Sequence, residues 1–370
     1  MVNKQSLKIA LVIHSLGIGG MERVMATLAN HFASREEVDV YLLLIGRKRN
    51  IEYEISNKIT IYKPNFLFDS TKRFWHTVLT ISFIRTTVKK LSPDVVLSFG
   101  EVWNNLVLLS LLYINVPIYV SERNQPGKKL GKLHNFLRKL TYKNAKGIIA
   151  QTQKAKDFFK KEVGHKNIEV IGNPISFIQV NNKVDKNNEV LTVGRLIQSK
   201  HHDRLIRLFN EIRCEDWILR IVGGDALKQS NKVKLLALIE VLNARNYIIL
   251  EGERNDIDIY YQRAKIFAFT SSSEGFPNVI GEALSAGLPV VSYDCVAGPS
   301  DMIHNGKNGY LIPLFDDDSF KKKLKKLMVD DSLRLTMEKS AKKSIQHLSP
   351  EKMSQNFYNF ITSHLSNSSN

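Results

Sequence analysis

Residues 268–283 read AFTSSSEGFPNVIGEA, a sequence in which two apolar stretches enclose a polar turn. The stretch that leads to Phe269 is typical of a buried strand. The stretch after Pro277 is typical of a helix, because proline suits the first helical position. A strand, a short turn and a helix in this order form the repeating unit of parallel α/β folds. The segment therefore predicts an α/β protein with a candidate binding turn at the end of a strand.

The turn of this segment offers backbone amides that, together with the dipole of the following helix, can hold an anion. These amides belong to Gly275, Phe276, Asn278 and Val279. The carboxylates of Glu274 and Glu282 cannot bind phosphate, so we expect each to accept a hydrogen bond from a hydroxyl, one on a sugar ring and one on a ribose. Taken singly, a capping role for Glu274 and a solvated position for Glu282 are equally good interpretations.

Apolar runs alternate with amphipathic segments along the whole chain. In the first half we interpret as strands Ile9–Ile13, Val40–Ile45, Val95–Phe99, Ile118–Val120 and Gly147–Ala150, and as helices Met21–Phe32 and Ile84–Lys90. In the second half the predicted strands are Val190–Val193, Ile218–Val222, Ile248–Leu250, Ile266–Phe269, Val290–Ser292 and Gly309–Ile312. The alternation predicts two doubly wound, Rossmann-like parallel sheets.

A proline and an Asn/Lys-rich stretch separate the two series near residues 173–188, which is typical of a hinge. We predict an N-terminal domain at residues 1–172 and a C-terminal domain at residues 173–349. Residues 350–370 contain a predicted helix, Pro350–His364, that returns to the N-terminal domain, and a tail. Ligands of open α/β sheets lie outside the carboxyl ends of the strands, so we expect the two domains to face each other across a cleft.

A glycine-rich turn, SLGIGGMER at residues 15–23, follows the first predicted strand. Its Gly19 and Gly20 allow the backbone to approach a phosphate closely. Glu22 stands where a dinucleotide-binding fingerprint has its third glycine, and the second strand ends without the acidic residue that would bind a ribose. A nicotinamide-dependent dehydrogenase is therefore disfavoured, and a tight turn without a ligand is the alternative interpretation.

A third turn, VGRLIQSK at residues 193–200, follows the first strand of the second series. Its Arg195 and Lys200 are permanent positive charges that can converge on a diphosphate in place of a divalent metal. Surface charges beside a loop are the ordinary alternative for such residues.

The charge of the chain is unevenly distributed. The net charge is +17, and residues 1–180 hold 27 of the 53 Lys+Arg but only 13 of the 36 Asp+Glu. A basic surface suits an anionic membrane or an acidic substrate, whereas no motif of the nucleic-acid-binding class accompanies it. Cys214 and Cys295 form neither a disulfide framework nor a zinc site, which fits a reducing cytoplasm.

The motifs together closely resemble the family-4 retaining glycosyltransferases of the GT-B fold, among them bacterial enzymes that extend lipid-linked or surface polysaccharides. The resemblance spans nearly the whole chain and rests on GGMER at residues 19–23, VGRLIQSK, IVGGD at 221–225, SEGFPNVIGEALSAGLPVV at 273–291, GPSDMI at 298–303 and NGKNGYLI at 305–312. It implies that Glu274 contacts the donor sugar, that Glu282 binds the ribose, and that Arg195 and Lys200 neutralise the diphosphate.

The resemblance implies that residues 1–172 are the acceptor-side domain and that residues 173–349 are the nucleotide-sugar-binding domain. It also implies roles for two further segments. The glycine that approaches the phosphates matches Gly19 or Gly20. The base of the nucleotide is held near the turn at residues 251–254, which contains Glu251 and Arg254.

The chain departs from the family pattern in two places that concern the site. Many members carry a histidine after a late strand of the first domain, whereas this chain reads SERN at residues 121–124. Glu122, Arg123 and Asn124 are therefore acceptor-side candidates, with capping or an ion pair as the alternative. Lys200 is followed by His201, where the family has glycine.

The resemblance implies a metal-independent, retaining transfer of a hexose or N-acetylhexosamine from a nucleotide diphosphate sugar, which we expect to be a UDP-sugar. The expected acceptor is a saccharide on a lipid carrier. Such steps build surface polysaccharides such as lipopolysaccharide and O-antigen. The nucleotide sugar is a substrate, so no cofactor and no metal are expected. A same-fold epimerase or phosphorylase and a non-catalytic nucleotide-sugar-binding membrane module are the alternatives.

Two segments of the basic half mix cations with apolar residues, TKRFWH at residues 71–76 and KKLGKLHNFLRK at residues 128–139. This mixture suits docking on an anionic membrane at ~1 kcal/mol per basic residue. Two amphipathic helices packed on the sheet are the alternative interpretation. We expect a cytoplasmic protein that is peripheral at the cytoplasmic face of the inner membrane.

Overall fold

The structure is a computed structural model that describes residues 6–128, 131–179, 184–226 and 229–366. The chain forms two compact units, of which unit 1 is Met1–Pro174 with Pro350–Asn370 and unit 2 is Ile175–Ser349. Each unit is a parallel sheet flanked by helices. The predicted class, two doubly wound α/β domains, is confirmed.

Seven parallel strands form the sheet of unit 1 among the described residues. They are β1 (Leu7–Ile13), β2 (Val38–Leu44), β3 (Thr60–Tyr62), β4 (Val95–Phe99), β5 (Ile118–Ser121), β6 (Gly147–Ala150) and β7 (Ile168–Val170). The helices between them are α1 (Gly20–Ala33), α2 (Arg73–Leu91), α3 (Glu101–Ser110), α4 (Lys132–Thr141) and α5 (Gln153–Val163). The predicted strands are all present, because strands that helices cover on both faces read as continuous apolar runs.

The strand order in unit 1 is β3-β2-β1-β4-β5-β6-β7. The order reverses between β1 and β4, which is the topological switch point where sheets of this type bind ligands. The sequence did not predict β3 and β7, because each has three residues and partly faces solvent at an edge of the sheet. Helix α2 is also longer than predicted and begins at Arg73.

Six parallel strands form the sheet of unit 2 within the described ranges. They are β8 (Glu189–Val193), β9 (Ile218–Val222), β10 (Ile248–Gly252), β11 (Ile266–Phe269), β12 (Val290–Asp294) and β13 (Gly309–Pro313). The helices are α6 (His202–Glu211), α7 (Asn231–Val241), α8 (Ile257–Arg263), α9 (Asn278–Ser285), α10 (Pro299–Met302), α11 (Asp317–Val329) and α12 (Asp331–Ser344). The order β10-β9-β8-β11-β12-β13 puts the switch point of unit 2 between β8 and β11.

The last helix, α13 (Pro350–Ser366), packs on α1 and β4 and so belongs to unit 1. Phe357 and Ile361 are fully buried. The guanidinium of Arg35 lies 4.2 Å from the centre of the Tyr358 ring. The expected return of this helix to the N-terminal half is confirmed.

Candidate active site

Two residues that the resemblance assigns to the donor site lie at the switch point of unit 2. Lys200 ends a short 3-10 turn after β8, and Glu274 lies in the loop after β11. Lys200 Nζ is 2.7 Å from Glu274 Oε1, and each side chain is only 15% exposed. The fold thus joins a cation and a carboxylate from positions 74 residues apart at the place where such sheets bind ligands.

The loops that carry this ion pair are bonded to one another. Thr270 Oγ1 donates a hydrogen bond of 2.9 Å to the Lys200 carbonyl, and the Ser272 amide donates one of 2.8 Å to the Ser199 carbonyl. Lys200 Nζ also lies 4.9 Å from the centre of the Phe269 ring. His201 has φ 50° and ψ 44°, a left-handed conformation that glycine adopts without strain, which explains why glycine suits this position.

The loop after β11 presents amides that the fold leaves unused. The amides of Gly275, Phe276 and Val279 donate to no acceptor among the described residues. Helix α9 begins one residue later than predicted, at Asn278, and Pro277 is its N-cap residue. Unpaired amides at the start of a helix attract an anion. This part of the site has the chemistry of a phosphate-binding turn.

Glu282 lies on the buried side of α9 and is 2% exposed. The Tyr261 hydroxyl donates a hydrogen bond of 3.0 Å to its Oε2. The interpretation of Glu282 as a solvated helix residue is therefore wrong. Its role toward a ribose stays a prediction.

Arg195 is the second residue after β8 and is exposed. Its guanidinium makes no hydrogen bond or ion pair with any described residue. The loop in which it lies is held tightly, since a Cβ on Gly223 would stand 1.9 Å from the Gly194 carbonyl oxygen. A fixed backbone with an unpaired cation is suited to meeting an anionic ligand.

Glu251 and Arg254 bond to one another at the end of β10. Glu251 Oε2 accepts hydrogen bonds from Arg254 Nη2 at 3.1 Å and from the Tyr260 hydroxyl at 3.3 Å. Its Oε1 accepts from Arg220, which also binds Glu189. The Glu251 carboxylate is thus occupied by neighbouring side chains, and a role of Glu251 and Arg254 toward the base of the nucleotide stays a prediction.

In unit 1 the glycine-rich turn is fixed by a tyrosine. The Gly19 amide donates to the Tyr53 hydroxyl at 3.0 Å, and that hydroxyl donates to the Gly19 carbonyl at 2.8 Å. Gly20 is exposed and is the first residue of α1. Because the Gly19 amide is already occupied, Gly20 is the glycine whose amide is open to a phosphate.

The acceptor-side candidates have partners of their own. Glu122 is buried in an ion pair with Arg138, at 3.3 Å, and burial raises its pKa to about 7. Arg123 lies 4.4 Å from the centre of the Phe99 ring, and burial lowers its pKa to about 9. The amide and side chain of Asn124 both donate to Glu101, at 2.8 Å each. The geometry favours the capping and ion-pair roles over acceptor binding.

Two residues beside the candidate side chains, one in each unit, carried no signal in the sequence. Glu101 orders the loop after β5 by accepting from the amide of Arg123 as well as that of Asn124. Cys295 is fully buried near the Lys200–Glu274 pair, and burial raises the pKa of its thiol to about 12, as does the Glu274 carboxylate. Burial and the neighbouring carboxylate thus both favour the neutral thiol, which is typical of a structural cysteine. Only the folded chain brings Glu101 to the loop after β5 and Cys295 to the Lys200–Glu274 pair.

Within the described residues no group of three or more His, Cys, Asp and Glu side chains is arranged to hold a metal ion. The acidic run at residues 316–318 has another role, because the Asp316 side chain accepts a hydrogen bond of 3.1 Å from the Ser319 amide and caps α11.

Two family sequence models match adjoining parts of the chain. Residues 18–177 match "Glycosyltransferase Family 4", and residues 175–344 match "Glycosyl transferases group 1". Together they contain Gly19 and Gly20 as well as the Lys200–Glu274 pair.

Full-length relatives and a solved structure agree with these matches. One relative is the N-acetylgalactosamine-N,N'-diacetylbacillosaminyl-diphospho-undecaprenol 4-alpha-N-acetylgalactosaminyltransferase of Campylobacter jejuni. The chain is 29% identical to it over 90% of this chain and 94% of the relative. It is 27% identical to an amylovoran biosynthesis glycosyltransferase of Erwinia amylovora, over 90% of this chain and 93% of the relative. The solved structure of the lipopolysaccharide outer core galactosyltransferase WaaB shares the fold, with a TM-score of 0.79 and 22% sequence identity. The match covers 97% of this chain and 100% of WaaB. The chain therefore belongs to glycosyltransferase family 4.

Proposed function

We propose that this glycosyltransferase moves a hexose or N-acetylhexosamine, with retention of configuration and without a metal, from a nucleotide diphosphate sugar, by preference UDP-linked. The observation that carries the proposal is the Lys200–Glu274 pair at the switch point of unit 2, beside the unpaired amides of Gly275, Phe276 and Val279. A carboxylate for sugar hydroxyls and a cation with amides for phosphates fit the two halves of such a donor.

The residues of the donor site fit a transfer in which the leaving diphosphate gains charge. Lys200, Arg195 and the loop amides stabilise that charge while an oxocarbenium-like centre forms on the sugar. A β-phosphate oxygen takes the proton of the acceptor hydroxyl on the same face of the sugar. Glu274 orients the sugar through its hydroxyls, and Glu282 accepts a hydrogen bond from the ribose.

The activity is tested with a panel of UDP- and GDP-sugars offered with saccharide acceptors. A new glycosidic bond supports the proposal. Isomerisation of the donor alone would identify an epimerase, and cleavage that requires phosphate would identify a phosphorylase. Binding of donor without any turnover would leave a nucleotide-sugar-binding module.

We predict that transfer persists in excess EDTA at about the rate measured without it. The expected reason is that Lys200 and Arg195 are permanent charges that act on the diphosphate, which is the part a divalent metal plays in other transferases. Initial rates are compared after dialysis against EDTA and after addition of Mn²⁺ or Mg²⁺. A rate that vanishes in EDTA and returns with Mn²⁺ would refute the metal-independent mechanism.

We further propose a lipid-linked acceptor and a peripheral position at the cytoplasmic face of the inner membrane, in surface polysaccharide synthesis. The Campylobacter relative carries diphospho-undecaprenol in its name. Among the described helices, none combines the length and the apolar character that crossing a bilayer requires.

Helix α4 supports this proposal because its apolar side chains face outward. Leu133, Phe136 and Leu140 are 65%, 64% and 55% exposed and repeat at intervals of three and four residues. Arg138 and Thr141 on the same helix are buried and bonded to Glu122 and Asn105. The alternative of an amphipathic helix with its apolar face on the sheet is therefore wrong for α4.

A second exposed apolar group lies on a nearby helix. Phe74 and Trp75, at the start of α2, are 73% and 66% exposed. Helix α3 packs against both α2 and α4, so the two helices lie on either side of one element. Exposed apolar side chains among lysines suit the interface of an anionic bilayer. Two residues of the predicted docking segment, Lys129 and Leu130, lie outside the described residues.

We predict that the purified protein sediments with vesicles of anionic lipid at low ionic strength and is released by salt. Charge reversal at Lys128 and Lys132 should weaken sedimentation several-fold, since each basic residue contributes ~1 kcal/mol near the surface. Phe136→Ser should weaken it further through loss of apolar burial.

Charge reversal at Lys322 and Lys325, exposed lysines of unit 2, serves as the matched control and should have little effect. Equal sedimentation with neutral and anionic vesicles would refute the electrostatic part of the proposal. Absence of binding to both would indicate a soluble acceptor.

A further inference from the structure

Unit 1 has a polar and aromatic cluster at its own switch point, formed by His14, Glu22 and Trp103. His14 is the first residue after β1, and Trp103 lies in the first turn of α3 after β4. Strands β1 and β4 are the neighbours between which the strand order reverses. The cluster therefore occupies the position in unit 1 that corresponds to the Lys200–Glu274 pair in unit 2.

The cluster is held in a defined geometry. His14 Nε2 is 3.2 Å from Glu22 Oε1, and the two side chains are 26% and 14% exposed. The rings of His14 and Trp103 are stacked, with centres 5.7 Å apart and planes 4° apart. The backbone of His14 is fixed by a hydrogen bond of 2.7 Å from the Gly46 amide. A Cβ at Gly46 would stand 2.4 Å from the His14 carbonyl oxygen, so this close contact requires glycine.

Glu22 is not needed to cap its own helix. It is the third residue of α1, a position from which a glutamate commonly accepts the amide of the N-cap residue. That residue is Gly19, and its amide already donates to the Tyr53 hydroxyl. Glu22 Oε2 has no hydrogen-bond partner among the described residues. Oε2 lies against the backbone of the glycine-rich turn, since a Cβ at Gly19 would stand 2.2 Å from it, and the fold leaves this oxygen without a hydrogen bond.

A carboxylate with an open oxygen, beside aromatic rings at a ligand-binding edge, has the chemistry of a sugar subsite. It accepts hydrogen bonds from hydroxyls and repels phosphate. Aromatic walls with a few oriented polar groups are typical of small-molecule sites. The cations suited to the donor diphosphate, Lys200 and Arg195, lie instead in unit 2.

We infer that Glu22, His14 and Trp103 form the subsite for the acceptor sugar, in which Glu22 accepts a hydrogen bond from an acceptor hydroxyl. His14 is a positioning residue that holds the Glu22 carboxylate, and Trp103 packs on the face of His14. The inference rests on the proposed function and assigns the acceptor to a cluster other than residues 122–124.

Steady-state kinetics with separate titration of the two substrates tests the inference. The acceptor is an N-acetylhexosaminyl diphosphoundecaprenol, and the donor is the nucleotide sugar that supports transfer in the panel. Glu22→Gln, which is nearly isosteric, should raise the KM for the acceptor by about tenfold to a hundredfold, the effect of losing a hydrogen bond to a charged group. The KM for the donor should change by less than twofold.

Two further variants make the result specific. His14→Asn should raise the acceptor KM by a smaller factor, because Glu22 remains but is less well oriented. Glu36→Gln, an exposed carboxylate just beyond the other end of α1, should leave both KM values unchanged. Thermal unfolding of each variant verifies that the chain is folded.

Equal increases in the donor and acceptor KM of Glu22→Gln would overturn the inference, as they would place Glu22 at the donor. Unchanged kinetics would also overturn it and leave the cluster a structural role. Absence of transfer by the wild-type chain with every donor is distinguishable from both, and would overturn the proposed function together with the subsite.

Discussion

Replacement of Glu274 by alanine is expected to lower the kcat for sugar transfer by about a hundredfold or more while the affinity for bare UDP falls only slightly. A loss of one oriented polar contact in a transition state of this kind corresponds to ~3 kcal/mol of barrier. The expected split follows from the geometry, because the Glu274 carboxylate is suited to sugar hydroxyls and UDP carries no transferred sugar. The Lys200–Glu274 contact of 2.7 Å places the carboxylate beside the cation assigned to the diphosphate.

Turnover is measured with the full donor, and UDP affinity by calorimetry on the same preparations. Glu274→Gln keeps the shape of the side chain and reports the contribution of its charge. Glu215→Gln, an exposed carboxylate of the same unit, is the control and should match wild type in both measurements. Parallel losses of turnover and UDP affinity would show that Glu274 serves the fold or the ribose instead.

Replacement of Lys200 by methionine is expected to lower kcat by about a hundredfold to a thousandfold and also to weaken UDP binding. Unlike Glu274, Lys200 acts on a group that is charged in the substrate, in the transition state and in the product, so ground-state affinity falls as well. Arg195→Met should act in the same direction. Lys325→Met, an exposed lysine on α11, is the matched control.

Measurements of thermal stability distinguish a structural role of the Lys200–Glu274 ion pair from its role in the donor site. Lys200→Met leaves the mostly buried Glu274 carboxylate without its cation, which costs about 1–3 kcal/mol. In the double variant with Glu274→Gln no unpaired charge remains, so part of the lost thermal stability should return while activity stays low. A double variant that regains activity would show that the pair is structural and not part of the donor site.

The second-half strand β11 was predicted with its observed bounds, because a parallel strand that is covered on both faces is apolar throughout. Strand β9 also has its predicted bounds, although Arg220 interrupts its apolar run. The edge strand β3 was not predicted, since its three residues obtain their place from pairing with β2 and not from an apolar pattern. Helix α2 was predicted too short because its first turns expose Phe74 and Trp75 and have no buried stripe.

The motifs led to Lys200 and Glu274 as donor-site residues, yet nothing in the spacing of 74 residues requires their contact. Contact arises because β8 and β11 are neighbours in the sheet and their loops leave from the same edge. The choice between Gly19 and Gly20 was likewise open in the sequence. It depends on the Tyr53 hydroxyl, which reaches Gly19 from 34 positions away.

The sequence by itself determined the buried central strands and the glycine-rich turns that follow them, because these depend on local patterns of apolar residues, glycine and proline. Only the tertiary structure decided which side of a helix is buried and which side is exposed to solvent. The periodicity of α4 predicts an apolar stripe whichever side of the helix meets the sheet. The buried Arg138–Glu122 ion pair turns the polar side inward and leaves Phe136 in solvent. The tertiary structure also decides the partners of side chains such as Glu22 and Glu122, because those partners lie on other elements that only the packing around the sheet brings near.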